Sequence, residues 1–227
     1  GKAIREEQRM SHHKVTITKE INVMSIIKSH KIIKNSFSVA AVFLLGACLM
    51  PSARAVQIGQ NSDIVVTNHF DSSISVIFNN GNRQFVKQSP DLASASNPAE
   101  PVTGDLNNDD LMDLVVVDGF GQPTLSIFLG QANGQFSARS AFNLGFDAAM
   151  AAIGDFNNDG NADIFVSHWS GGGGNEVQIL LGNGLGNFSV GTTRSNVPGA
   201  NAVAVGDFDK DGKLDGVVTN WTAGSVT

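Results

Sequence analysis

One nine-residue stretch occurs three times in the chain, and nothing else limits the fold as tightly. The copies run Asp105–Asp113, Asp155–Asp163 and Asp207–Asp215. Places 1, 3, 5 and 9 carry a side-chain oxygen every time. They are Asp105, Asn107, Asp109 and Asp113; Asp155, Asn157, Asp159 and Asp163; and Asp207, Asp209, Asp211 and Asp215. Calcium, a hard cation with six to eight oxygen ligands, suits a short loop with oxygens on alternate residues. Place 7 (Leu111, Asn161, Lys213) changes character between copies, as expected where only the backbone carbonyl serves. Place 6 is Gly160 and Gly212 in two copies, where the chain must turn sharply.

The loop is not an EF-hand. An EF-hand ends on a bidentate Glu at place 12, and here that place holds Val116, Val166 and Val218. Each loop runs into an apolar or β-branched stretch (114–117, 164–166, 216–219), which favours a strand over a helix. The expectation is a calcium turn between two β-strands.

The loops belong to a longer repeat. Asp113, Asp163 and Asp215 are 50 and 52 residues apart, and Phe85, Phe136 and Phe188 are 51 and 52 apart. A period near fifty points to propellers or solenoids. Each unit reads as four short strands: one into the loop, one out of it, a third at 124–129 or 176–181, and a fourth at Phe136 or Phe188. Four strands per unit predicts an all-β fold of four-stranded antiparallel propeller blades, incomplete in this chain. The divisions are a leader over 1–55, a degenerate first blade over 56–100, blades with calcium loops over 101–146 and 147–198, and a truncated blade over 199–227. In the degenerate blade the places before Asp63 are Ala55, Gln57 and Gly59, without carboxylates. A stack of three and a half units cannot close a ring, so the chain reads as the N-terminal part of a longer protein, with an open sheet stack with an exposed edge as the alternative.

Charge supports metal over nucleic acid. Residues 56–227 hold six Lys/Arg against eighteen Asp/Glu, and ten of those acids sit at loop places. Clustered carboxylates repel unless a cation neutralises them, and a nucleic-acid site needs a basic face. The leader is the reverse, with nine Lys/Arg and three Glu over residues 1–55. The chain begins at Gly1, and Met24 offers another start before a basic segment. The apolar run Phe37–Met50 is too short to span a bilayer, and Ser52-Ala53-Arg54-Ala55 closes it with small residues at −3 and −1. A secretory signal cleaved after Ala55 is the expectation, with a lipid-anchored Cys48 as the rival. Cys48 is the only cysteine, so no disulfide can staple the domain.

The series Val203-Ala-Val-Gly206-Asp207…Asp215-Gly-Val-Val-Thr-Asn220, preceded by Leu180-Leu-Gly-Asn-Gly-Leu-Gly-Asn-Phe188, resembles the FG-GAP/VCBS repeat family. The likeness spans about residues 56–227. It implies an integrin α-like β-propeller with calcium between the first and second strands of a blade, held at the loop places named above. Asp110 departs from the pattern where Gly160 and Gly212 stand, which makes the first loop the expected weak site.

The opposite end of the blades offers a candidate ligand face, His168, Trp169, Asn220 and Trp221, suited to a glycan or an extracellular protein. Packing between blades is the plainer use for these aromatics. No nucleophile, zinc or phosphate-loop motif appears, so no catalysis is expected. The composite expectation is a secreted calcium-binding module for adhesion or display. Its rival is the propeller part of a larger secreted polysaccharide-acting enzyme.

Overall fold

The computed structural model describes residues 53–56 (as backbone), 62–119, 121–168 and 176–227. All lie in the compact unit Ser38–Thr227. The leader motifs before Ala53, including Cys48, fall outside the described residues, as does Trp169.

The chain is all-β and makes four antiparallel sheets, each built in sequence order. Sheet I holds β1 (Ala53–Val56), β2 (Asp63–Asn68), β3 (Ser73–Asn79) and β4 (Phe85–Lys87), with β5 (Leu92–Ala93) also on β3. Sheet II holds β6 (Pro101–Gly104), β7 (Asp113–Val117), β8 (Thr124–Phe128) and β9 (Ser140–Asn143). Sheet III holds β10 (Ala148–Gly154), β11 (Asp163–His168), β12 (Glu176–Gly182) and β13 (Phe188–Ser195). Sheet IV holds β14 (Ala200–Gly206), β15 (Asp215–Asn220) and β16 (Ser225–Val226). The sheets are open, as in a propeller that is incomplete within this chain.

Two local expectations need correction. Phe188 opens β13, but Phe136 makes only an isolated bridge to Gly130, and the fourth strand of sheet II forms at Ser140–Asn143. In sheet I, Ala55 is no loop residue: it lies in β1, paired with Ile64, and Val56 pairs with Asp63. Only residues 57–62 are left to connect the strands, against 105–112 in sheet II. The cleavage point expected after Ala55 falls inside this strand.

Alternation along the strands explains the stacking, since successive side chains in a strand point to opposite faces. Leu114 and Val116 pack with Val65, Ile74 and Val76 of sheet I. Val115 and Val117 pack on the other side with Ile164, Val166 and Leu180 of sheet III. Every residue of β7 is buried, which is why the strand is apolar without interruption after Asp113. Phe165 and Val177 carry the stack on to Ala200 and Val218 of sheet IV. The glycines before the first two loops serve this close approach. A Cβ on Gly104 would meet Ile153 at 2.9 Å, and one on Gly154 would meet Leu214 at 2.5 Å.

Candidate metal centre

The three acidic loops join the first and second strands of sheets II, III and IV, and one hydrogen-bond pattern builds all of them. The place-5 amide donates to the place-1 carboxylate: Asp109 N to Asp105 Oδ1 (3.2 Å), Asp159 N to Asp155 Oδ1 (3.1 Å) and Asp211 N to Asp207 Oδ1 (3.1 Å). The place-6 amide donates to the other oxygen of the same carboxylate, at 2.9, 2.9 and 3.0 Å. The place-7 amide donates to the place-5 carboxylate, from Leu111, Asn161 and Lys213. These are side-chain turns of the kind Asp and Asn favour, and they fold each loop back onto its own place-1 carboxylate.

Two places need left-handed backbone. Place 6 does so at Gly160 (φ 84°) and Gly212 (φ 87°), and Asp110 adopts it without being glycine (φ 63°). Place 4 does so as well, at Asn108, Asn158 and Lys210. The paired asparagines 107–108 and 157–158 were the sequence signal for that second kink, since Asn tolerates this region best after Gly.

The ninth-place Asp has a second duty that motif reading missed. Asp113 is fully buried, and its two oxygens accept Leu106 N (2.7 Å) and Gly130 N (2.7 Å). Asp163 does the same with Phe156 N and Gly182 N, and Asp215 Oδ2 takes Phe208 N. One carboxylate therefore ties the loop to the end of the third strand. In sheet I, Asp63 accepts Asn79 N at 2.6 Å although the acidic loop is missing. That Asp63 persists where the other acids do not was the clue available in the sequence.

Electrostatics follow burial. Desolvation pushes the Asp113 carboxyl above its ordinary 3.8, against the pull of the Gly130 and Leu106 amides, and the charges of Asp109 and Asp105 push the same way. Exposed Asp159 is held below 3.8 by the Asn161 amide and the Asn157 side chain. Among the described residues no Lys, Arg or His pairs with a loop carboxylate. Asp207, Asp209 and Asp215 bring one oxygen each to within 4.8 Å of one another. In the other two loops place 3 is Asn107 or Asn157, whose amide donates to the place-5 carboxylate at 3.0 and 2.9 Å. An all-oxygen, uncompensated donor set of this kind fits a hard divalent cation.

At the other end of the sheets the described candidate residues stand in different settings. Asn220 is buried and donates to Ser225 Oγ (3.2 Å) and Thr227 Oγ1 (2.6 Å), bracing its hairpin. His168, the equivalent residue of sheet III, lies 4.5 Å from the Phe146 ring and 3.7 Å from Glu176. The same place holds Asn68, bonded to Ser73 and Ser75, and Asp118, bonded to Thr124, Ser126 and Arg139. Of the candidate residues described, only Trp221 is open to solvent, at 77 %. The Asp118–Arg139 pair had no signal in the sequence, because its members lie 21 residues apart in no motif.

A profile of the FG-GAP-like repeat family matches residues 60–116, 106–166 and 155–218. No curated protein matches the chain.

Proposed function

Since the chain belongs to the FG-GAP-like repeat family, a family of typically non-catalytic binding modules, we propose that it is a secreted, calcium-stabilised module for binding or display. The observation that carries the reading is the uncompensated acidic loop, built three times to one hydrogen-bond plan. The side chains at places 1, 3, 5 and 9 and the place-7 carbonyls of Leu111, Asn161 and Lys213 are the ligand set. Bound calcium would supply the positive charge these loops lack. The residues themselves do the rest: the ninth-place Asp ties the loop to the third strand, and the place-1 Asp holds the turn closed. Secretion suits such loops, because extracellular modules bind calcium at roughly 10⁻⁴ to 10⁻³ M. Among the described residues no helix is long and apolar enough to cross a membrane.

The candidate partner surface is the far end of the sheets, at Trp221, for a glycan or an extracellular protein. Thermal melts with calcium and with chelator test the metal reading. Each site held at 100 times its Kd adds about 2.7 kcal/mol, so chelation lowers Tm by roughly 5–10 °C for each site that was filled. Identical melts in both buffers would remove the proposal. For the partner, Trp221→Ala should abolish glycan-array or ectodomain binding with the melt unchanged.

A further inference from the structure

The loops of sheets II and III touch, and the contact is specific to that junction. Asn108, at place 4 of the first acidic loop, donates from Nδ2 to Asn161 Oδ1 at 2.9 Å. Asn161 is place 7 of the second loop. Above this bond lies the turn between β12 and β13. Gly186 N donates to Leu106 O at 3.0 Å, fastening that turn to place 2 of the first loop. Gly184 lies against the bond itself, since a Cβ there would run into both Asn161 Oδ1 and Asn108 Nδ2. At the next junction the matching residues are Asn158 and Lys213, and the described residues show no bond between them.

The geometry points to Asn108 and Asn161 as positioning residues that couple the first two cation sites into a cooperative pair and leave the third independent. This rests on the calcium reading given above. Asn108 stands between the ligands Asn107 and Asp109, and its left-handed backbone (φ 58°) sets the angle between them. The Asn161 amide donates to Asp159 Oδ1 at 2.8 Å, so its placement is tied to the second loop's own ligands. A cation that orders the second loop thus fixes Asn161 Oδ1, which fixes Asn108, which pre-arranges the first loop. Coupling of this kind is reciprocal and usually amounts to at least about 5-fold in affinity.

The test uses the full chain and calcium alone. Calorimetry counts the ions, and the backbone amide signals of Leu111 and Asn161 report the first two loops separately by NMR. Disabling the second loop with Asp155→Asn and Asp159→Asn should weaken calcium at the first loop about 5-fold or more. Disabling the third with Asp207→Asn and Asp209→Asn should leave the first unchanged. Asn161→Ala, which keeps the place-7 backbone carbonyl and removes only the side chain that meets Asn108, should abolish the dependence while three ions still bind. Asn108→Gly, which accepts the same φ, removes the same bond and serves if Asn161→Ala does not fold. Equal first-loop affinity with the second loop disabled overturns the coupling, as does a dependence that survives both variants. Three ions bound independently sink the coupling alone, whereas no calcium bound at all sinks the underlying reading with it.

Discussion

Asp113 holds two backbone N–H groups from different strands with one buried carboxylate. An unsatisfied buried donor costs about 1–3 kcal/mol, so Asp113→Ala should destabilise the calcium-free protein by about 2–5 kcal/mol in urea unfolding with chelator present. A loss seen only with calcium would mean the residue is a ligand and nothing more. The same carboxyl sets a pH signature. It titrates above 3.8 because of burial, while Asp159 titrates below 3.8 because of its amide donors. A folded group with a raised value contributes stability below the unfolded value, and that contribution is lost as pH rises through the folded one. Asp159 runs the other way: its contribution is present above 3.8 and fades as pH falls through its folded value. Carboxyl-carbon NMR titration of the calcium-free protein measures both, and coincident midpoints would contradict the account. Asp110 is the strained member of the place-6 set. Asp110→Gly should raise stability by about 1 kcal/mol, roughly 2–4 °C in Tm for a chain of this size.

Within one sheet, the brace at the end of the second strand changes chemistry from copy to copy while keeping its position. In sheet II it is ionic: Arg139 reaches the fully buried Asp118 at 3.0 Å, and Thr124 and Ser126 bond the same carboxylate. Removing one partner of a buried pair strands the other charge. Arg139→Met should therefore cost about 2–3 kcal/mol, less than a wholly buried pair would, because Arg139 is partly exposed and the two hydroxyls remain. Adding Asp118→Asn should restore much of that loss. A double-mutant cycle showing no coupling would assign the pair no role in holding the sheet.

Across the whole stack, burial at one loop place depends on which sheet lies beside it. Leu106, Phe156 and Phe208 all occupy place 2 of an acidic loop. Leu106 is fully buried against sheet III, whereas Phe208, in the last sheet, is 58 % exposed. Leu106→Ala should cost about 2–5 kcal/mol, as buried Leu truncations do, and Phe208→Ala less than 1 kcal/mol. Comparable losses at both would mean that the outer face of sheet IV is covered in solution.

The sheets and loops were legible in the chain because their signals are local. Alternating oxygens, the apolar run of β7 and a period near fifty residues need no knowledge of distant neighbours. The left-handed Asp110 was readable for the same reason, from its alignment with Gly160 and Gly212. What the sequence could not settle are the contacts made between residues far apart in the chain. The clamp from Asp113 to the Gly130 amide, the Asp118–Arg139 brace and the Asn108–Asn161 bond each join polar groups that no spacing rule connects. Short-range patterns select elements through backbone propensity and side-chain alternation. Which polar groups end up buried together depends on how the elements stack, and that was decided only in the tertiary structure.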